Sequence, residues 1–554
     1  MAGIADFLDS LVGGFDLLCY SLLMGGLFWG LFVLKPWHQK PEYNSLLLQR
    51  TLALIYKGGF YLVAAQIFKI VLKVWLMTAV LERWPFPEFA QTTQFIGGLI
   101  RALLTGVLSG YCYYYLRNNP YSKSHWIGAL IVSVPMVVSG AWLVHGAGRF
   151  DNQVLLMTLT VIHQLGAAAW LGSVFQLVNI WWLRQDQKVS STLWPLALHQ
   201  FAFLGIASVV LILLSGLPIA LQYIDSWDGL MGTGYGNLLV VKLALMAMAL
   251  GFALLNKSAI IKFLASGHDY VLTHRVPYYI QAEAVVLVIL LFAAASLASQ
   301  PPAIDVPNLT ASWQEVLNTF HPQIPQLQSP SHIALIAGEA GRVAIIDQVP
   351  SIAATEWSNY NHNIAGIFLT VMSFFAMLSY VKQLPITSQT VQRYLTMTNY
   401  WPLGFVGLGI FLFFRSDAET WPLGPIGFWE STFNNGEVLQ HRIATLLVLT
   451  LGIFELSARL TKNPNSKLPF VFPILAAFGG LMLLTHSHVW FQAKSAFLIQ
   501  VGHTTMGLFS LVLACGRWLE LKLDRPGKDI AGFISVAALF QIGIILMFYR
   551  EPLY

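Results

Sequence analysis

The amino-acid sequence predicts an all-α, polytopic integral membrane protein with about fourteen transmembrane helices in two helical bundles. Three observations support this fold class. The chain has 554 residues, of which 56% are hydrophobic and only 10% charged, whereas a soluble globular protein carries about 25% charged residues. Apolar runs close to the ~20 residues that a spanning helix needs recur along the whole chain. Lys and Arg residues concentrate in alternate loops between these runs.

The apolar runs, taken in order, give the candidate spans. They cover residues 9–34, 52–80, 94–116, 127–147, 154–183, 200–223, 237–256, 278–300, 364–381, 398–415, 441–459, 468–487, 496–519 and 530–549. The longest interruption, Pro301–Trp357, is polar and rich in proline, which is typical of a linker. We therefore predict an eight-helix half over 1–300, an external linker over 301–360 and a six-helix half over 361–554.

The positive charges predict the orientation of these spans. One set of loops holds nineteen Lys and Arg residues, and the loops of the alternate set hold fewer. This alternate set of loops holds seven Lys and Arg residues: Arg83, Arg149, Arg342, Arg415, Arg442, Lys494 and Arg550. Loops rich in Lys and Arg lie on the cytoplasmic side, so both termini are predicted to lie outside the cytoplasm. Because the basic residues are spread between apolar runs, the net charge of +5 does not indicate a nucleic-acid partner.

Histidines gather at the outer ends of the helices in the second half. His362 begins the ninth span, His441 begins the eleventh, His486 and His488 end the twelfth, and His503 lies about two turns into the thirteenth. Odd-numbered spans begin outside and even-numbered spans end there, so these five residues converge on one face. Imidazole suits copper, zinc, iron and nickel, and ligating groups within a bilayer indicate function. We expect a metal or haem site at this face.

A second pair of histidines lies in the first half. His145 ends the fourth span and His163 lies inside the fifth, and the midpoint between them, Val154, falls in the turn of the hairpin. Residues equally far from the turn of an antiparallel hairpin lie at equal depth, so the two imidazoles are expected to face each other. His486 and His503 have nearly the same spacing about their own turn. We infer a weak internal repeat, with one histidine-bearing hairpin in each half.

Charged side chains inside the apolar runs are a further feature. Lys242 lies in the seventh span and Glu283 in the eighth, so the two residues could form an ion pair. Such a pair would be either structural or part of gating or proton coupling, because ionisable groups in a membrane are costly and are often functional.

Several segments of the first half resemble the membrane domain of the copper resistance protein D (CopD) family. The matching pieces are HQLGAAAWLG (His163–Gly172), FLGIASVVLILLSG (Phe203–Gly216), TGYGNLL (from Thr233), Lys242–Asn256, Glu283 and SQPP (Ser299–Pro302), and WLVHGAGR supplies His145. Together they cover about residues 140–303. The pieces WPLG, LQHR, THSH, GH and RWLELKL between 421 and 523 resemble C-terminal extensions of larger family members.

The resemblance implies copper handling at the bacterial inner membrane, with import from the periplasm and a separate periplasmic copper chaperone as partner. With copper as the metal, the candidate ligands face the periplasm. They are His145, His163, His362, His441, His486, His488 and His503. The linker and both termini would then be periplasmic.

Three functions remain open on this reading. The first is copper transport, and the second is a b-type haem protein for electron transfer or cupric reduction, since paired histidines within helices are also typical of axial haem ligands. The third is a copper-storing accessory or assembly subunit of a larger membrane complex. The chain has no P-loop, which excludes an ATP-driven pump within it, and we expect a binding or transport protein rather than an enzyme. The pattern leaves the oligomeric state open.

Overall fold

The computed structural model of the chain describes all residues except 1, 41–44, 150, 187, 189, 191, 268, 340–350, 382–396, 416–427, 430, 434–435, 462, 464, 486–492 and 552–554. Every regular element in the described part is helical. Fourteen longer helices coincide with the predicted spans: α1 (Ala2–Tyr20, continued by π-helical turns to Leu34), α2 (Ser45–Leu81), α3 (Thr93–Tyr111), α4 (Lys123–Gly140), α5 (Gln153–Gln185), α6 (Leu193–Tyr223), α7 (Gly234–Ser266), α8 (Val276–Ser299), α9 (Ile352–Val381), α10 (Leu403–Arg415), α11 (Gly436–Leu460), α12 (Val471–Leu484), α13 (Ala493–Lys522) and α14 (Gly527–Met547).

Most of these helices have the length and composition of a membrane span. Within the described residues, twelve helices are long and apolar enough to cross a bilayer. Of the fourteen, α10 has 13 residues and α12 has 14, so both are shorter than the ~20 residues of a standard span. The prediction of an all-α, multi-pass membrane protein is confirmed. The exact number of spans and the side on which the termini lie stay predictions.

The helices form two compact units. The N-terminal unit consists of Leu8–Asp225 and Lys242–Gln300. The C-terminal unit consists of Met1–Phe7, Ser226–Val241 and Pro301–Tyr554. Helix α7 therefore contributes its first part to the C-terminal unit and the remainder, from Lys242 onward, to the N-terminal unit.

In the N-terminal unit, α5 packs against α1, α6 and α8. Where α1 crosses α5, a Cβ placed on Gly172 would lie 2.2 Å from the carbonyl oxygen of Ser21 and 2.7 Å from the Cα of Gly25. Helices in membranes approach this closely only where small residues line the contact. The π-helical turn Ser21–Gly25 of α1 lies at this crossing. The absence of side chains at Gly25 and Gly172 therefore sets the distance between the two helices.

The C-terminal unit contains a closed ring of six helices. Each of α9 to α14 packs against the next in order, and α14 packs back against α9. Buried apolar residues fill the ring, including Met372, Phe405, Phe472 and Leu539. This order makes α9 and α13 the two neighbours of α14, with α11 on the opposite side of the ring.

A buried ion network joins three helices of this ring near the ends of α9, α11 and α13. Glu455 accepts hydrogen bonds from Arg459 at 2.8 Å and from Arg517 at 2.9 Å. Arg517 also pairs with Glu520 at 2.8 Å, and the hydroxyl of Tyr380 donates to Glu520 at 2.8 Å. Charge-assisted hydrogen bonds of this length are the stronger kind. The network fixes one end of the six-helix ring.

Part of the segment between α8 and α9 packs on α13 within the C-terminal unit. The short helix Trp313–Thr319 begins with a capping box formed by Ser312 and Glu315, which satisfies the free amides of its first turn. The carboxylate of Glu315 pairs with Lys494 at 2.7 Å. The hydrogen bond from Lys494 holds the pKa of the Glu315 carboxyl below its ordinary value, and bonds from Ser312 act in the same direction.

Candidate metal centre

The imidazoles of His362 on α9 and His503 on α13 come together in the C-terminal unit. Their ring centroids are 6.0 Å apart and their planes are inclined at 82°. Nδ1 of His362 lies 2.8 Å from the carbonyl oxygen of Ser358, and Nδ1 of His503 lies 3.0 Å from that of Ile499. A ring nitrogen that contacts a carbonyl oxygen must carry the proton, so the lone pair of each neutral ring is on Nε2. In the neutral form of both histidines, Nε2 is therefore the ring nitrogen with the chemistry of a metal ligand.

The spacing of the two rings suits a shared metal ion. A metal held about 2 Å from each Nε2 would place the two ring centres roughly 6 Å apart if it lay between them. His503 is buried and His362 is partly buried. Ligands that are already desolvated and fixed in orientation favour binding, because little further ordering is needed.

A serine and a carboxylate orient His362. The hydroxyl of Ser358 lies 3.2 Å from Nδ1 of His362 and donates a hydrogen bond to the carboxylate of Glu551. Metal-binding histidines almost always donate their other ring N–H to a carboxylate, a carbonyl or a water molecule, which fixes the tautomer and raises the basicity of the ligand. The chain Glu551–Ser358–His362 is therefore of the kind expected behind a metal ligand.

Replacing Ser358 with alanine is expected to weaken copper binding by about 10–100-fold, the usual effect of removing an outer-shell partner of a ligating histidine. Titration of the purified variant with copper would measure this change. Ser351→Ala is a suitable control, since Ser351 caps the start of the same helix. An affinity equal to that of the wild type would mean that Ser358 does not support a ligand.

The polar face of α9 holds the residues that follow α14 against this pair. The Asn363 amide donates to the carbonyl oxygens of Leu546 and Tyr549 at 3.2 and 3.0 Å, and Gly366 leaves room for the backbone of Met547. The ring of Tyr549 consequently lies 4.1 Å from that of His362 and 6.2 Å from that of His503. Tyr549 thus covers one side of the histidine pair.

Three further histidines, His441, His486 and His488, were predicted for this face. His441 lies on α11, across the ring from α14, and its carbonyl oxygen accepts a hydrogen bond from Thr445. His486 and His488 lie outside the described residues. Among the residues that are described, no group of three or more His, Cys, Asp or Glu side chains could hold a metal ion. Among the described residues, the candidate centre is therefore the pair His362 and His503.

In the N-terminal unit, His163 is held by three polar groups. Its Nδ1 lies 3.1 Å from the carbonyl oxygen of Ile212 and 3.2 Å from the hydroxyl of Ser215, both on α6. Its Nε2 lies 3.3 Å from Nζ of Lys242 on α7. As with the pair above, the contact of Nδ1 with a carbonyl puts the lone pair on Nε2. Lys242 donates to the nitrogen that would otherwise bind a metal.

The structure does not place His145 at the depth of His163. The ring of His145 lies 6.5 Å from that of Tyr223 at the end of α6, whereas His163 contacts Ile212 and Ser215. At 1.5 Å per residue, Tyr223 is about 12 Å farther along α6 than Ser215. The equal depth expected from the hairpin assumed that the helix continues to His145, but α4 ends at Gly140 and is followed by 3₁₀ turns.

The position of His163 depends on Gly216. A Cβ at Gly216 would lie 2.8 Å from Cε1 and 3.1 Å from Nδ1 of the imidazole. Gly216→Ala is therefore expected to push His163 off the carbonyl of Ile212 and to lower copper binding at this position at least tenfold. Copper titration in a variant lacking His503 would isolate the effect. Gly251→Ala on α7 is the control, because a Cβ there meets nothing within 4 Å, and equal binding by both variants would contradict the expectation.

The ion pair between Lys242 and Glu283 is not formed, which corrects the expectation from the sequence. Lys242 contacts His163, whereas the two carboxylate oxygens of Glu283 accept hydrogen bonds from the indole of Trp170 and the amide of Asn256, both at 2.9 Å. The two groups lie at different levels of the bundle, since Trp170 is about 10 Å along α5 from His163. Opposite charges on neighbouring spans were not enough to predict the pairing.

Several residues of these sites carry no signal that could identify them from the sequence. Ser358, Tyr549 and Glu551 are of common types and lie far apart in the chain, and only the fold brings the latter two to α9. Ser215 and Gly216 lie in the segment FLGIASVVLILLSG that was recognised for its resemblance, which is the one available indication of their role.

Comparisons with known proteins give a family match and a curated relative. The sequence model of a family described as copper resistance protein D matches residues 195–297. The copper transport protein CutJ of Bacillus subtilis (strain 168) is 27% identical over 136 residues, which cover 24% of this chain and 25% of CutJ. The chain thus aligns with about a quarter of the length of this relative. No solved structure gives a significant match. The family match includes Lys242, Asn256 and Glu283, and it begins after His163 and Trp170.

Proposed function

Because residues 195–297 of this chain match the sequence model of the copper resistance protein D family, we propose that the chain binds copper and moves it across the bacterial inner membrane, from the periplasm toward the cytoplasm. The observation that carries the proposal is the pair His362 and His503, whose ring centroids lie 6.0 Å apart and whose Nδ1 atoms each contact a backbone carbonyl oxygen. The description of CutJ as a copper transport protein supports the choice of substrate.

In this proposal the histidines at the outer helix ends receive copper on the periplasmic side. His362 and His503 form the binding centre, and His441, His486 and His488 are further ligands from the same end of the second half. His145 and His163 serve the N-terminal unit. A separate periplasmic copper chaperone would deliver the ion, and only copper, the chaperone and the lipid bilayer are needed as partners.

Lys242 is the gate of the N-terminal site in this proposal. Its ammonium group hydrogen-bonds Nε2 of His163, so copper reaches that nitrogen only when Lys242 moves away. A hydrogen bond from a charged donor contributes about 1.5–3 kcal/mol. The gate thus sets the affinity of the site.

Replacing Lys242 with methionine is expected to raise the copper affinity of His163 by about 10–100-fold, because the free energy of the lost hydrogen bond no longer opposes copper binding. Copper titration of the variant, with and without the additional change His163→Ala, would measure it. The gain should vanish in the double variant. A gain that persists without His163 would place the copper elsewhere and contradict the gate.

Vesicles containing the purified full-length chain would test transport itself. Copper would be supplied outside as Cu(I) with a reductant, and the interior copper measured by mass spectrometry over time. We expect uptake above that of empty vesicles, and uptake equal to wild type in His321→Ala, which changes an exposed histidine. Copper bound without uptake would contradict transport in favour of storage. A Soret band with little copper would contradict the copper centre and reassign the pair as axial haem ligands.

A further inference from the structure

The carboxyl of Glu283 is buried in the N-terminal unit without a cationic partner. The side chain is 1% exposed, and its hydrogen bonds come from neutral donors, the indole N–H of Trp170 and the amide of Asn256. No ion pair involves Glu283 anywhere in the described part of the chain. An unpaired carboxylate inside a bilayer is strongly disfavoured, and the gating role above does not use this residue.

The two neighbours allow Glu283 to exist with or without a proton. The indole can only donate, so it always bonds to one carboxyl oxygen. The amide of Asn256 has a donor and an acceptor, and its Oδ1 is buried with no hydrogen-bond partner in the part of the chain that the structure describes. When Glu283 is ionised, Nδ2 of Asn256 donates to it. When Glu283 is protonated, rotation of the amide brings Oδ1 round to accept the new O–H.

Charged groups near Glu283 are few and already engaged. On α7, Lys242 bonds to His163, and Lys257 beside Asn256 is exposed. On α5 the facing group is the neutral indole. His274 and Arg275 lie just before α8, about two helical turns from Glu283. Helix α1 packs against the later part of α8, and its Asp16 already pairs with Arg101 at 3.6 Å. None of these fixes the charge of Glu283.

We propose that Glu283 is a proton-binding site, which takes up and releases one proton for each copper ion that the chain moves. The proposal rests on the copper transport proposed above and adds the coupling ion. In each cycle the carboxylate binds one proton from one side of the membrane, becomes the neutral acid, and releases that proton to the other side. Sodium is the less suitable occupant, since such hard cations require several oxygen ligands and the indole directs an N–H at the carboxyl.

Infrared difference spectroscopy of the full-length protein in lipid would test the proton site directly and without copper. The C=O stretch of a protonated carboxyl should appear in the wild type as the pH is lowered, and Glu283→Gln should lack that band. Ser296→Ala is the matched control, because Ser296 is another buried polar residue of α8. Asn256→Leu, which keeps the carboxyl but removes the amide that donates to its ionised form, should move the midpoint of the titration to higher pH. Identical spectra for the wild type and Glu283→Gln would overturn the proposal.

Vesicles with a pH-sensitive dye inside would test the coupling. Copper uptake by the wild type should be accompanied by proton movement, and Glu283→Gln should bind the same amount of copper while losing proton movement and at least nine-tenths of the uptake. Glu283→Asp should retain part of both, which guards against a folding defect in the glutamine variant. Uptake that follows a sodium gradient, or that remains pH-dependent in Glu283→Gln, would contradict the proposal. If the infrared titration of Glu283 is observed but the wild type takes up no copper, the proposed transport function would be contradicted while the proton-binding site would stand.

Discussion

Replacing either His362 or His503 with alanine is expected to abolish copper binding at the C-terminal unit. The two ring centroids lie 6.0 Å apart on separate helices, so the removal of either ring takes away one of the two nitrogen ligands that the pair supplies. Since loss of an outer-shell partner alone costs about 10–100-fold in metal affinity, loss of a ligand should lower the affinity more than about 100-fold. Copper titration and metal analysis after gel filtration would measure the loss.

The comparison of single and double variants makes this expectation specific. If both histidines hold one ion, then His362→Ala, His503→Ala and the double variant should lose the same amount of copper, because the effects of residues acting as a unit are not additive. His321→Ala should lose none. Separate, additive losses from the two single variants would show two independent sites and contradict the shared centre.

The change with the largest expected effect on stability is Gly172→Ala in the N-terminal unit. Its new Cβ would meet the backbone of α1 at 2.2 Å, and neither Ser21 nor Gly25 has a flexible atom there that could move aside. Overpacking in a well-packed interior costs about 1–3 kcal/mol, and more where backbone must shift. We therefore expect a free energy of unfolding at least about 2 kcal/mol lower than that of the wild type, or failure to fold.

Thermal unfolding in detergent and the yield of monodisperse protein would measure this effect. Gly110→Ala is the matched control, since that glycine also lies in a helix of the N-terminal unit and a Cβ there meets nothing within 4 Å. The control should be neutral or slightly stabilising, because alanine favours the helix over glycine. Equal melting temperatures for Gly172→Ala and the wild type would show that the close crossing of α1 and α5 is not required.

The helices themselves were predictable, because a span leaves a simple signal. Twenty or so apolar residues must hydrogen-bond internally in lipid, and the helix is the only single-segment solution. The sequence pattern therefore predicted where the long helices of the described residues lie. It could not show that α4 ends at Gly140, because the residues that follow, AWLV, remain apolar, and the depth of His145 was misjudged for that reason.

The histidine pair was only partly predictable. Topology indicated that His362 and His503 belong to the same face, but the order of packing in the six-helix ring decides which helix ends are neighbours. That order sets α9 and α13 beside α14 and leaves His441 on the far helix, α11. The partners of Lys242 and Glu283 escaped prediction for the same reason. Charge complementarity suggested one ion pair, whereas the relative heights of α5, α7 and α8 give each residue its own neutral partners.

The coordination of copper in the full-length protein is the most direct test of the central proposal. X-ray absorption spectroscopy of the purified, copper-loaded chain identifies the ligand atoms from their distances and scattering. We expect imidazole nitrogens at about 2 Å from the metal, reduced in number by His503→Ala and unchanged by His321→Ala. A spectrum dominated by sulfur ligands, or one that is the same with and without His503, would contradict a copper centre at His362 and His503.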